Sequence, residues 1–121
     1  MATITITQSN LQDIVEKNDM VVLDFWAPWC GPCQAFGPIF ERVSQRFPTA
    51  VFGKVNTDEE MELGAGFQVR SIPTLIIFRE QIIVFAQPGM MQERQFVELL
   101  EKAEALDMEE IRKKIAEENN G

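Results

Sequence analysis

Seven residues, Met20-Val21-Val22-Leu23-Asp24-Phe25-Trp26, form a continuous apolar run that carries one carboxylate, and Cys30-Gly31-Pro32-Cys33 follows after three intervening residues. A strand with one wet face would alternate apolar and polar residues; an unbroken run suits a central strand covered on both faces. After the cysteines, Cys33, Phe36, Phe40, Val43 and Phe47 recur at alternating spacings of three and four. That is the stripe of an amphipathic helix, with Pro38 inside it, where a bend is expected. A covered strand followed by an amphipathic helix fits a layered α/β arrangement.

The other segments fit the same plan. Ile4 and Ile6 alternate with threonines in a short outer strand. Ser9 and Gln12 have the spacing of a capping box, and Leu11, Ile14 and Val15 make one face of a short helix. A strand is expected over Ala50 to Asn56. Thr57 and Glu60 suggest a second capping box, opening a short helix from about Asp58 to Leu63 that Gly64 and Gly66 end. Ser71-Ile72-Pro73-Thr74 leads into a strand from Leu75 to Phe78, and a hairpin leads to another from Ile82 to Phe85. Phe96, Leu99, Leu100 and Ala103 mark the last main helix. The order βαβαβαββα predicts a central mixed sheet with helices on both faces.

The two cysteines are the only ones in 121 residues, and the chain has no histidine. A four-ligand zinc site cannot be assembled from so few donors in one chain. A structural disulfide closing so short a loop would constrain the unfolded chain little. A thiol pair at this spacing can instead close and open a disulfide across the first helical turn, the usual meaning of Cys-x-x-Cys at a strand-to-helix junction. If the helix starts at Gly31, Cys30 lies where unpaired N–H groups and the helix dipole favour a thiolate. Pro32 suits the first turn, since its missing N–H costs nothing there. Gly31 places no side chain in the way of an incoming disulfide. Cys30 is therefore expected to be exposed and to attack, and Cys33, further into the helix, to be shielded and to resolve.

Composition narrows the function further. Without histidine, Ser-His-Asp and Cys-His hydrolases are excluded. No Walker or Rossmann glycine pattern is present, so no bound NAD, flavin or nucleoside triphosphate is expected. A net charge of −8 and the absence of a basic patch argue against nucleic acid or an anionic membrane as partner. The first residues, Met1 to Thr7, have neither a positive region nor a continuous apolar stretch and do not resemble a signal peptide. A cytoplasmic location is expected, where a dithiol is more often catalytic than structural.

Taken together, these motifs resemble the thioredoxin family from about Ile4 to Ala105. The resemblance is carried by Asp24-Phe25-Trp26-Ala27, Trp29-Cys30-Gly31-Pro32-Cys33, Pro38, Lys54, Asp58, Ile72-Pro73-Thr74 and Gly89. It implies a thioredoxin fold and a protein-disulfide reductase, acting as a monomer on oxidised proteins and regenerated by a thioredoxin reductase. It implies a cis Pro73 beside the cysteines and a backbone at Ile72 that pairs with a bound segment. Trp29, Gly31, Pro32, Ile72, Pro73 and Gly89 would line the substrate groove. Asp24, a lone carboxylate with Val22 and Trp26 on its face, should have a raised pKa. The resemblance makes it the proton acceptor for Cys33, with Lys54 as its partner. It also suggests that the Trp26 indole bonds to the Asp58 carboxylate.

Some positions depart from the family pattern. Gln34 stands where many relatives carry a basic residue. Pro88 and Met90 flank Gly89. The hairpin Arg79-Glu80-Gln81 lacks the glycine expected of a tight turn. Residues 1–105 are read as the domain and 106–121 as an extension. In the extension, Asp107 and Glu110 have capping spacing, and Met108, Ile111 and Ile115 form a narrow stripe. A short helix docked on its own domain is expected, with an interaction helix as the alternative. Two other functions use the same residues: a disulfide oxidase or isomerase, and a redox-dependent binding module. Gly-Pro between the cysteines argues against the first, and the second has only the extension to support it.

Overall fold

The computed structural model describes residues 2–120. Its elements run β1 (Thr3–Thr5), α1 (Leu11–Lys17), β2 (Met20–Trp26), α2 (Gly31–Ser44), β3 (Val51–Asn56), α3 (Met61–Gly66), β4 (Thr74–Arg79), β5 (Ile82–Pro88), α4 (Glu93–Glu104) and α5 (Met108–Asn120). The five strands form one sheet in the order β1-β3-β2-β4-β5. β1, β3 and β2 are parallel, while β4 runs antiparallel to both β2 and β5. This is the mixed α/β sheet expected, with β2 central as its apolar run requires.

Alternation along β2 divides the core in two. Val22 faces α2 and α4, where it packs with Phe36, Phe40, Phe52, Leu75, Ile77, Phe96 and Leu100. Val21, Leu23 and Phe25 face the other side with Ile6, Val55, Ile76 and Phe78, covered by Leu11 and Ile14 of α1, Leu63 of α3 and Phe67 just after it. Both faces of β2 are covered, and every β2 residue but Trp26 is buried. Gly53 of β3 is fixed by this packing: a Cβ there would approach Ile6 Cγ1 to 2.4 Å and Leu23 Cδ2 to 3.2 Å.

Two of the expected caps give way to loop chemistry. Asn10 precedes α1, and its side chain accepts from Thr7 N and donates to the Thr5 carbonyl, while Ser9 pairs only with the Thr7 hydroxyl. Before α3, Asn56 Oδ1 accepts from the N–H groups of Asp58 and Glu59, and the Asn56 carbonyl accepts from Glu60. That side-chain turn competes with helix formation. α3 therefore starts at Met61, later than expected, and Gly64 lies inside it.

The β4–β5 connection is a two-residue turn, with Arg79 opposite Ile82. Glu80 and Gln81 have φ of 49° and 71°, the left-handed pair that a type I′ turn needs and that glycine or asparagine normally supplies. Neighbours hold the turn in place. Glu80 N donates to the Asp19 carbonyl at 2.7 Å, and the Glu80 carboxylate pairs with Arg112 of α5. Arg79 is buried; it bonds the Asp19 carboxylate at 3.0 Å and donates to the carbonyls of Ala103 and Glu104. Those are among the last carbonyls of α4, which have no partner within the helix. α5 begins at this end of the sheet, remote from the cysteines. Asp107 Oδ1 caps it by accepting from Glu110 N, and Met108 is buried, whereas residues 112–120 are exposed.

Candidate active site

The site lies where β2 hands over to α2. Cys30 is the N-cap of α2: its backbone is extended, its carbonyl accepts from Gln34 N, and its Sγ accepts from Cys33 N at 3.2 Å. Cys30 and Cys33 are joined as a disulfide, with Cα atoms 5.2 Å apart. In the reduced protein a thiolate at Cys30 would keep the Cys33 N–H donor and the positive end of the helix dipole, both of which favour the anion. The expected contrast in exposure is absent, since Cys30 and Cys33 are 5% and 4% exposed. Both pack with Ala27, Trp26 and Ile72. What distinguishes them is position: Cys30 caps the helix and Cys33 lies within it.

Across from the disulfide, the Ile72–Pro73 bond is cis and Pro73 is buried. The Ile72 carbonyl oxygen lies 3.7 Å from Cys30 Sγ. Gly89, at φ 102°, donates its N–H to the Pro73 carbonyl at 2.8 Å, which ties the end of β5 to the same loop. Gly31 and Pro32 are exposed at the start of α2, and nothing stands within 4 Å of where a Gly31 side chain would project. Ile72 thus packs directly against the sulfur pair, Gly31 and Pro32 follow Cys30 on α2, and Pro73 and Gly89 belong to the adjoining loop.

Behind the disulfide is a charge in an apolar layer. Asp24 is 1% exposed, and neither of its oxygens meets a hydrogen-bonding group of the protein. Its register partners are Lys54 on β3 and Leu75 on β4. Lys54 Nζ lies 3.9 Å from Asp24 Oδ2 and 4.8 Å from the centre of the Trp26 ring. It also lies 3.6 Å from where a Cβ on Gly37 would be. Gly37 is one turn beyond Cys33 on the same helix, so Lys54 spans from the buried carboxylate to the first turns of α2. Burial pushes the Asp24 pKa up to about 7, and the Lys54 charge offsets part of that rise.

The indole–carboxylate bond is present, but Trp29 makes it rather than Trp26. Trp29 Nε1 donates to both carboxylate oxygens of Asp58, at 3.0 and 3.2 Å. Trp26 is the last residue of β2 and is held under Lys54. Trp29, three residues on, has left the sheet and can reach the exposed turn after β3. Sequence reasoning placed Trp29 only in the groove and did not foresee its fixed orientation. The spacing of the two tryptophans from the strand's end was the usable signal.

The thioredoxin family model matches residues 2–102. The chain belongs to the thioredoxin family. It is 46% identical over 117 residues to a putative thioredoxin 2 of Streptomyces coelicolor, covering 97% of this chain and 87% of that one. It is 33% identical to the thioredoxin of Mycoplasma pneumoniae, covering 83% and 98% of the two chains. Among solved structures, a mutant thioredoxin from Halobacterium salinarum superposes with a TM-score of 0.79 at 32% identity, covering 87% of this chain and 92% of that one. Plasmodium falciparum thioredoxin gives 0.76 at 31% identity, covering 83% and 97%. Family membership and the paired cysteines establish the reaction class: the protein is a disulfide oxidoreductase that works by dithiol–disulfide exchange through Cys30 and Cys33.

Proposed function

We propose that the protein is a reductase of protein disulfides, with Cys30 as nucleophile and Cys33 as resolving thiol. The observation that carries the assignment is the capping geometry, in which Cys30 Sγ accepts the Cys33 N–H while lying 3.7 Å from the Ile72 carbonyl. In the first step the Cys30 thiolate attacks one sulfur of the partner's disulfide. A mixed disulfide forms, and the partner's other sulfur leaves as a thiolate that takes up a proton. In the second step the Cys33 thiol gives its proton to Asp24 through a bridging water. The Cys33 thiolate then attacks Cys30 Sγ, closes the Cys30–Cys33 disulfide and releases the second partner sulfur, now reduced. A carboxylate with a pKa of about 7 is suited to this work, because it is both available as a base and able to release the proton again near neutrality. The Lys54 charge opposes burial and pulls the Asp24 pKa down.

Trp29, Gly31, Pro32, Ile72, Pro73 and Gly89 form the surface against which the partner's disulfide docks, a reading supported by the packing of Ile72 against the sulfurs, the chain neighbours of Cys30 at Trp29, Gly31 and Pro32, and the Gly89 bond to Pro73. The closed disulfide is reopened by a thioredoxin reductase, and the protein acts as a monomer in the cytoplasm, where the thiol pool can sustain a reductant. Residues 1–105 make up the catalytic domain and 106–121 an extension outside it, in keeping with the placement of α5 away from the sulfurs. The test is dithiothreitol-driven reduction of insulin disulfides. The wild type should accelerate it, and Cys30→Ser should return it to the uncatalysed rate. A Cys30→Ser protein that retains the acceleration would refute the assignment.

A further inference from the structure

Two concavities flank the loop that precedes Pro73. One, of about 360 Å³, is lined by Trp29, Met61, Ala65, Val69, Arg70 and Ile72. The other, of about 260 Å³, lies toward β5, between Phe67 and Pro88. Val69, Arg70 and Ser71 line both and form the ridge between them. The first has the two most exposed large apolar side chains of the described residues on its rim, Met61 at 72% and Trp29 at 71%. Exposed apolar surface beside a reactive sulfur marks a contact surface for partners.

Arg70 is the one charged residue lining either concavity. It is exposed, and among the described residues no carboxylate pairs with it. The chain as a whole carries −8, and of the acids beside or in α3, Asp58, Glu59 and Glu62, Asp58 accepts from the indole of the groove residue Trp29. Arg70 thus makes one side of the groove positive against a negative background. Two residues of chain, at most about 7 Å, separate it from Ile72, whose carbonyl lies 3.7 Å from Cys30 Sγ. Its long side chain can therefore meet a partner residue within a few positions of the attacked cysteine.

We infer that Arg70 is a specificity-determining residue, favouring partner disulfides that carry an acidic side chain close to the cysteine that Cys30 attacks. The inference rests on the reductase reading above. An exposed pair of this kind acts mainly on encounter and fades with salt.

The test compares reduced wild type with Arg70→Gln and Arg70→Glu on matched disulfide peptides. The peptides differ only in Glu or Lys two positions from the attacked cysteine, and neutral hydroxyethyl disulfide serves as control. At low ionic strength the wild type should reduce the Glu peptide about three- to fivefold faster than the Lys peptide. Arg70→Gln should remove that preference and Arg70→Glu reverse it. At 1 M salt, where charges are screened beyond about 3 Å, the wild-type preference should vanish. All three proteins should reduce hydroxyethyl disulfide equally. A preference that persists in Arg70→Gln, equal rates on both peptides, or a wild type favouring the Lys peptide would overturn the inference. Loss of hydroxyethyl disulfide reduction in the wild type would instead overturn the reductase reading.

Discussion

Replacing Asp24 by Asn should stabilise the oxidised protein at neutral and alkaline pH and do little near pH 4. The magnitude follows from the burial of the group. Its pKa rises from 3.8 to about 7 because the residue is left only 1% exposed, with only Lys54, 3.9 Å away, to compensate. At about 1.4 kcal/mol per pH unit, that displacement is worth about 4 kcal/mol. The sign follows from proton binding. Between pH 3.8 and 7 the folded protein keeps a proton that the unfolded chain releases, so stability is full below the window and falls as pH rises through it. Asparagine has nothing to titrate, so the stability difference between variant and wild type should grow by about 4 kcal/mol from pH 4 to pH 8. Urea denaturation at four pH values across that range reads this directly. With a slope of about 2 kcal/mol per M, the difference between the two midpoints should widen by about 2 M. Every other titrating group is common to both proteins and cancels. A difference in midpoints that stays constant from pH 4 to pH 8 would refute the claim that Asp24 is buried with a raised pKa.

Gly53→Ala should destabilise the domain by about 1–3 kcal/mol, since the new methyl would overlap Ile6 in a layer with no slack; thermal melting of the two proteins checks it. Lys54→Met should raise the Asp24 pKa further, because the Lys54 charge is what pulls it down. The pH-dependent limb of the turnover profile should move to higher pH, readable by titrating the Asp24 carboxyl by NMR in parallel. Removing residues 107–121 should leave insulin reduction within about twofold of wild type and lower the melting temperature by a few degrees, as loss of the Met108 contact and the Arg112–Glu80 pair implies. A tenfold fall in rate would show that α5 does more than cover the surface.

Sequence patterns located most of the frame because they report strong, local causes. The unbroken apolar run gave the bounds of β2, and the Pro32 signal gave the first turn of α2. Loop chemistry was harder to read. Asn56 Oδ1 accepts from the N–H groups of Asp58 and Glu59 and delays α3, a competition that spacing alone does not reveal. The non-glycine residues of the β4–β5 turn adopt left-handed φ in a setting that includes Asp19 and Arg112, both distant in sequence. Arg79, read only as part of the hairpin turn, is the last residue of β4 and is buried against the end of α4, a contact that depends on how the last helix returns to the sheet. In the site, Asp24 was legible as a charge in an apolar strand. Trp29's bond to Asp58 was not, because it joins two loops whose relative placement is set only by the pairing of β2 with β3. The burial of Cys30 was likewise hidden, since Ile72, which packs against it, lies forty-two residues away.

The division of labour between the two cysteines is tested most directly by trapping the intermediate. Reduced Cys33→Ser, mixed with an oxidised protein such as insulin, should accumulate a covalent adduct. Peptide mapping by mass spectrometry should find the partner's cysteine attached to Cys30, with its other thiol free. Reduced Cys30→Ser should accumulate little or none, because Cys33 lies within α2 without the capping position. Adducts formed readily through Cys33 in Cys30→Ser, with none on Cys30 in the reciprocal variant, would contradict the account and reverse the two roles.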